Sequence, residues 1–547
     1  MRILGACLAN DVHVAGVTRF LSIAEQCGHR THFTGPATDL ETLIEVARKF
    51  DPELIGISYR LTPENLNPLL GELREMLAAA GLEGRRLAFA GPPPVVDVAR
   101  RSGLFEAYFQ GGEMASEVQR YLQAGAGMQE PDRVYPQQAI ERIQWKAPYP
   151  LLRHHYGEPA PTIDPTLQGI ERIAESGVLD VISLGADQDA QERFFAPDTQ
   201  DPRSRGAGGV PFRTEDDLQR LYEASRRGNY PLMRSYSGTA DHLRYADMLV
   251  RTIDNAWCAT SLFWFNAMDG RGPSPLRRSL QEHMDLMRWH GERGIPVEGN
   301  EPYHWGMRDA PDVVVCAVSV IYAKVAKAMG VQDYIATYMF ESPPHLSNRM
   351  DLAKCLAQIE LAESFADDSF RVWHQTRTGL LSYPVDAVAA RAHLAQSVML
   401  QMAVQPNIVH IVGYTEADHA ATADEVIESC RMAGQVIDTA LRGIPDMTRD
   451  PLIQERKQEL LEQTEVLLNA IRSLSPDSTD PFIDPEILSG AVSAGLLDAP
   501  QLVNNPFAKG AIRTRSVDGA ILAVDDSGIP LGECERVERC LFRKDGI

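Results

Sequence analysis

The sequence predicts an α/β protein in two parts: an open, doubly wound parallel sheet, then a (β/α)8 TIM barrel with a small C-terminal subdomain. Three observations carry this. Residues 1–125 alternate short apolar runs with amphipathic stretches five times. From about residue 166 the alternation resumes at a longer period, over a span of the size a (β/α)8 barrel needs. After residue 475 the pattern breaks up into Asn505-Pro-Phe and a turn-rich stretch.

In the first domain, strands are expected at 2–8, 31–35, 54–59, 86–91 and 107–111, with helices near 17–27, 39–49, 64–80, 94–102 and 114–123. Five such units make a flavodoxin-like (Rossmann-type) sheet. Residues 126–165 are rich in Gly, Gln and Pro, including Ala147-Pro-Tyr-Pro150 and Glu158-Pro-Ala-Pro161, and read as a linker. The barrel is assigned to 166–475. Its strand candidates are 178–184, 230–235, 259–265, 295–299, 333–339, 369–374 and 407–413, and the eighth has no clear position. The C-terminal subdomain takes 476–547, with a hairpin expected over Ala520–Pro530.

The chain has 547 residues and a net charge of −22, which speaks against nucleic acid and anionic membranes as partners. Eight cysteines are scattered without a Cys-x-x-Cys pair. That speaks for a reducing cytosol and against a radical-SAM enzyme with its cysteine-ligated iron–sulfur cluster. No signal peptide is visible, and the longest apolar run, Val313 to Ala323, is stopped by Lys324 and reads as a buried helix. The expected location is cytoplasmic.

The most telling residues follow the first strand: Asp11-Val-His13-Val-Ala-Gly16. A histidine at the carboxyl end of a strand faces the crevice where open α/β sheets bind ligands. A carboxylate two residues earlier can take the proton of one ring nitrogen and leave the other as a metal ligand. Gly16 lets backbone approach a bulky ligand.

This constellation resembles the cobalamin-binding signature Asp-x-His-x-x-Gly of B12-dependent mutases and methyltransferases. Ser58, ending Leu54-Ile-Gly-Ile-Ser58, lies at the interval where that family has Ser-x-Leu, although Leu61 comes one residue late. Of the family's Gly-Gly pair only Gly91 matches, and Gly112 in Gln110-Gly-Gly-Glu113 could approach the cofactor tail. The resemblance implies that His13 is the lower ligand of cobalt. Asp11 would hold it, and the displaced nucleotide tail would pass Gly16, Ser58, Leu61, Gly91 and Gly112.

Polar residues collect past the barrel strands, the face where barrel enzymes keep their active sites: Asp187, Arg234, Asn266, Asp269, Asn300-Glu301, Glu341, His374-Gln375-Thr-Arg377 and Tyr414-Thr-Glu416. These segments resemble the barrel subunit of coenzyme B12-dependent glutamate mutase (methylaspartate mutase), here fused behind the B12 domain. Arg234-Ser-Tyr-Ser-Gly-Thr-Ala-Asp241 is similar to the family's Arg-His-Gly-Thr-Pro-Asp, and Pro275-Leu-Arg-Arg-Ser-Leu280 to Pro-Ile-Glu-Lys-Ser-Leu. Asn300-Glu-Pro-Tyr303 is similar to Arg-Glu-Pro-Phe, and Trp373-His374-Gln375 to Phe-His-Gln. The family's Glu-Gly-Gly-Gly stretch and two tyrosines have no counterpart; Leu262-Phe-Trp-Phe-Asn-Ala267 stands there. A second substrate arginine is open among Arg193, Arg213 and Arg220.

The resemblance implies an adenosylcobalamin-dependent radical mutase (an isomerase) acting on a small carboxylic acid, glutamate or a variant of it. Arg234 would clamp a carboxylate. Glu301 and Glu416 would bind an amino or hydroxyl group or the cofactor's ribose, and His374 and Gln375 would pack against the corrin. Related barrel subunits pair, which implies a homodimer. The alternatives are a corrinoid methyl-transfer protein, a cobalamin sensor and a pyridoxal-phosphate aminomutase. Methyl-transfer modules carry a helical cap ahead of the B12 domain, whereas the first strand here begins at residue 2; a sensor has no use for so large a barrel; and Lys49, the only lysine of the first 125 residues, sits in an expected helix.

Overall fold

A computed structural model describes residues 1–111, 115–124 and 135–542. The chain divides into two compact units, Met1–Val134 and Tyr135–Ile547.

The first unit is a five-stranded parallel sheet in the order β2-β1-β3-β4-β5, formed by β1 (Arg2–Cys7), β2 (Arg30–Phe33), β3 (Leu54–Ser58), β4 (Arg86–Ala90) and β5 (Ala107–Phe109). β1 and β3 are apolar and almost wholly buried because helices cover both faces. Helix Leu40–Phe50 is held at its start by Asp39, which accepts from the Thr42 N–H at 2.6 Å. Strand order reverses between β1 and β3, so a crevice opens at their carboxyl ends. There the Leu8 N–H donates to the Ser58 carbonyl at 3.1 Å, drawing the two following loops together.

The second unit contains eight parallel strands in the order β8-β7-β6-β13-β12-β11-β10-β9. They are β6 (Leu151–Tyr156), β7 (Val181–Leu184), β8 (Leu232–Ser235), β9 (Cys258–Thr260), β10 (Val297–Gly299), β11 (Asp333–Phe340), β12 (Arg371–Thr378) and β13 (Ile408–Ile411). The seam between β8 and β9 is closed by Ala256 N–H donating to the Met233 carbonyl at 2.9 Å and Ser237 N–H to the Ala259 carbonyl at 3.5 Å. This is a (β/α)8 barrel.

The missing eighth strand is β6, and it lies inside the stretch read as a linker. That stretch also contains helix Ala139–Lys146, whose Ala139 and Ile143 pack with Leu151, Val181, Leu232, Trp257, Ile335 and Ile408 to close the base of the barrel. β6 escaped the sequence reading because its inward positions after Leu151 are Arg153 and His155, so it has no apolar run.

The strand expected over 259–265 is only Cys258–Thr260. Beyond it the Leu262 and Phe263 N–H groups donate to the Glu301 carboxylate instead of a ladder.

The C-terminal residues belong to the second unit. Their hairpin is β14 (Thr514–Val517) and β15 (Ala520–Ala523), turning on Asp518 and Gly519 with φ of 50° and 81°, the left-handed pair that a two-residue hairpin turn requires. The expected turn near 525–529 exists as a smaller extension, a single bridge between Val524 and Pro530. Among the described residues no helix is long and apolar enough to cross a membrane.

Two glycines of the first unit make opposite demands. A Cβ on Gly91 would lie 2.4 Å from the Tyr59 carbonyl oxygen, whereas one on Gly16 would meet nothing within 4 Å. Gly91→Ala is therefore expected to destabilise by about 1–3 kcal/mol. Gly16→Ala, in a helical turn, should leave stability unchanged or raise it by up to about 1 kcal/mol. Urea denaturation of the full chain checks both; equal effects would contradict the close approach at Gly91.

Candidate functional site

At the switch point, Asp11 is fully buried while the His13 side chain is 53 % exposed. Asp11 Oδ1 lies 2.7 Å from His13 Nδ1 and accepts the His13 backbone N–H at 2.9 Å; its Oδ2 accepts the Arg60 N–H at 2.7 Å. One carboxylate thus ties the loop after β1 to the loop after β3 and takes the Nδ1 proton. The lone pair of Nε2 is left outward, which is the tautomer a metal ligand needs.

Among the described residues no three His, Cys, Asp or Glu side chains group to hold a metal ion. A metal at Nε2 would have to bring its other ligands with it, as a macrocycle does.

Two residues past His13, at Ala15, begins a cleft of about 550 Å³ lined by Gly16, Phe20, Ser58, Gly91 and Phe109 among others, next to a narrow apolar slot against Gly56. Neither conformation nor packing calls for glycine at 16, so its effect is to leave the cleft open. Ser58 is buried on the cleft wall. Leu61 is placed otherwise: it packs against the apolar core on the sheet and does not line the cleft. Gly112 lies outside the described residues.

In the barrel, side chains alternate inward along each strand. Above the apolar base comes a polar layer: Arg153, Ser183, Arg234, Glu298, Thr337 and Gln375, all buried. Arg153 donates to Ser183 Oγ (2.7 Å), Glu298 Oε1 (2.8 Å) and Gln375 Oε1 (2.9 Å). Glu298 Oε2 accepts from Trp257 Nε1 (2.6 Å) and Arg234 Nη1 (3.3 Å).

Burial alone would raise the Glu298 carboxyl. The Arg153 and Arg234 guanidinium groups, with the Trp257 and Arg153 hydrogen bonds, outweigh that and hold it at about 2. Two guanidinium groups against one carboxylate leave this layer net positive. Arg234 Nε and Nη2 are buried without a partner. They form the two-point edge of the guanidinium that matches a carboxylate.

Above this layer His155, Tyr236, Arg377 and Glu416 line a cavity of about 360 Å³ at the carboxyl ends of the strands. His155 stacks on Tyr236, with its Nε2 3.0 Å from the hydroxyl. Burial, with Arg153, Arg234 and Arg377, pushes His155 well below the usual imidazole range, and burial with Arg153 and Arg377 does the same to His410. Both imidazoles are neutral. Arg377 sits over the Tyr303 ring at 4.9 Å and its Nε has no partner. Glu416 accepts the Gly413 N–H at 3.0 Å and lies 3.3 Å from His154 Nε2.

Glu416 thus lines the cavity, while Arg234 and Gln375 lie in the buried polar layer beneath it, so Gln375 is not placed to pack against a corrin, and Glu301 and His374 belong to neither. Both oxygens of Glu301 are engaged, Oε2 by Ser261 Oγ and the Leu262 and Phe263 N–H groups and Oε1 by Trp305 Nε1; it fastens the loop after β9. His374 faces outward from β12, between Tyr338 and Glu363, because its neighbour Gln375 faces in. Gln375 bonds Arg153, Glu298 and Thr337 deep in the barrel.

Of the three arginines held open, Arg213 is bound to Asp187 through two nitrogens, and Arg193 and Arg220 pair with Asp189 and Asp164. The site arginines the sequence reading missed are Arg153, hidden in the supposed linker, and Arg377, noted there only as a polar strand end.

No protein-family model and no curated protein sequence matches the chain. Several solved structures are similar. A cobalamin-binding protein from Desulfitobacterium hafniense DCB-2 is 23 % identical over 23 % of this chain and 58 % of its own, at a TM-score of 0.20. Mycobacterium tuberculosis tryptophan synthase is 13 % identical over 55 % of this chain and 99 % of its own, at 0.32. The cobalamin-dependent S-adenosylmethionine radical enzyme OxsB is 11 % identical over 89 % and 70 %, at 0.19. The chain spans a little over half of the first of these proteins. At such TM-scores none of the likenesses bears weight.

The Arg153–Glu298–Arg234 cluster makes a prediction. Glu298→Gln leaves two buried cations uncompensated and should cost about 3–5 kcal/mol in urea denaturation at pH 7. The folded carboxyl lies below its ordinary 4.5. Its contribution is therefore full above that value and is lost as pH falls through it toward 2. Wild type should lose more stability than Glu298→Gln between pH 5 and 3; equal losses would contradict the coupling.

Proposed function

We propose that the chain is a cobalamin-dependent radical mutase that rearranges the carbon skeleton of a small carboxylic acid. The observation that carries this is the Asp11–His13 pair: a buried carboxylate that takes one imidazole proton at the switch point of the sheet, with the other nitrogen open beside a glycine-lined cleft. These residues fit cobalamin. His13 Nε2 would ligate cobalt, Asp11 would orient the ring and raise its basicity, and the cleft past Gly16, Ser58 and Gly91 would take the nucleotide tail. When bound, adenosylcobalamin supplies a homolysable cobalt–carbon bond and with it hydrogen-atom abstraction.

The barrel residues support an anionic substrate. Arg234 would grip a carboxylate through Nε and Nη2, held in place by Nη1 on Glu298. Arg377, with Nε unpartnered at the cavity, would take a second anionic group, and Glu416 on the same wall suits an ammonium group. Two guanidinium groups and one carboxylate match glutamate, which makes it the first acid to try. His155 and His410, neutral, can hydrogen-bond substrate without adding charge.

The test is NMR of a panel of labelled small carboxylic acids incubated with full-length protein and adenosylcobalamin in the dark. The expected result is a skeletal isomer of one acid, with kcat/KM reduced by about a hundredfold or more in Arg234→Lys, which lacks the two-point edge. Rearrangement that Arg234→Lys leaves intact would remove Arg234 from the site. No rearrangement of any acid, together with methyl transfer from methylcobalamin to an added thiol, would overturn the mutase reading.

A further inference from the structure

The cleft beside His13 carries a charge that the cobalt ligand does not use. Arg19, on helix Ala15–Gln26, and Arg60, just past β3, stand on its wall. No acidic side chain is among the described residues that line it. Asp11 is close by but engaged, with Oδ1 at His13 and Oδ2 accepting the Arg60 backbone N–H. Neither guanidinium has an ion-pair partner among the described residues.

Helix Ala15–Gln26 also begins at this cleft, and the free N–H groups of its first turn add to the positive potential. The deeper part of the cleft is apolar, with Phe20 and Phe109 5.7 Å apart beside Gly56. The ligand therefore has a flat apolar portion and an anion attached to it.

We propose that Arg19 and Arg60 bind the phosphodiester of the cobalamin nucleotide loop. The proposal rests on the cobalamin reading above. Once His13 takes the lower cobalt position, the nucleotide tail must enter the protein, and its phosphodiester is its one formal charge. The apolar wall at Phe20 and Phe109 receives the base, and the two arginines on the wall of the same cleft receive the phosphate. A free phosphate ester such as FMN has the same chemistry, since flavodoxin-like sheets hold FMN at this switch point.

The test titrates full-length apo-protein with cobalamin, with cobinamide (the same corrin without its nucleotide loop) and with FMN. It compares wild type with Arg19→Gln/Arg60→Gln and Arg19→Lys/Arg60→Lys. The glutamine pair should weaken cobalamin binding about tenfold or more, leave cobinamide binding unchanged, and remove the salt dependence of cobalamin affinity. The lysine pair should recover most of the loss. Both arginines are exposed, so the variants should melt as wild type does.

Equal weakening of cobalamin and cobinamide, or none of either, would overturn the phosphate assignment and leave the cobalt ligand untouched. FMN binding that the glutamine pair abolishes would put a free nucleotide in the cleft and overturn it too. Failure of wild type to bind either corrinoid would overturn the cobalamin reading itself.

Discussion

The account rests on one carboxylate. Asp11 has no solvent exposure and engages both oxygens: Oδ1 with the His13 ring and backbone, Oδ2 with the backbone of Arg60. An unpaired carboxylate in that position would be costly. With these bonds it fixes the imidazole's tautomer and its direction and ties the two loops that flank the switch point. The outward Nε2 and the placing of the Arg60 backbone both follow from it. None of this needs a special backbone at Gly16, whose lack of a side chain serves only the open space beside it.

The barrel departs from an apolar interior for an electrostatic reason. Branched apolar residues usually fill such a barrel in layers, and here the base layer obeys that rule. The next layer holds Arg153, Arg234 and Glu298, whose desolvation costs more than hydrophobic replacements would. Such a layer is a poor device for stability, and its charge is unbalanced by one. The edge of Arg234 and the Nε of Arg377 are left without hydrogen-bond partners, and Arg377 lines the cavity beside His155, which burial and the neighbouring guanidinium groups keep neutral. A carboxylate from outside would restore the balance.

The first unit was largely legible because its evidence is local. Asp11, His13 and Gly16 are neighbours in sequence, and a five-fold strand–helix alternation gives the switch point directly. The barrel was legible in outline but not in its site. Arg153 was lost because inward polar residues erase the apolar run that marks a strand. Glu301 sits at a strand end, as a catalytic acid would, but sequence does not tell which way it turns, and four donors already occupy it. His374 and Gln375 cannot both face inward on one strand; parity chose Gln375 through its bonds to Glu298 and Thr337. Leu61 went to the core for a similar reason: one residue beyond Arg60, it turns to the apolar side of the sheet.

The most direct measurement is electron paramagnetic resonance of full-length protein loaded with cob(II)alamin, prepared once with natural histidine and once with histidine labelled with nitrogen-15. The account predicts that the cobalt lines show splitting from a single axial nitrogen, three-fold with natural histidine and two-fold with the label, and that His13→Ala abolishes the label's effect. Splitting that ignores the label would mean that cobalt keeps its own base or takes another ligand, and would contradict the assignment of His13 on which the account depends.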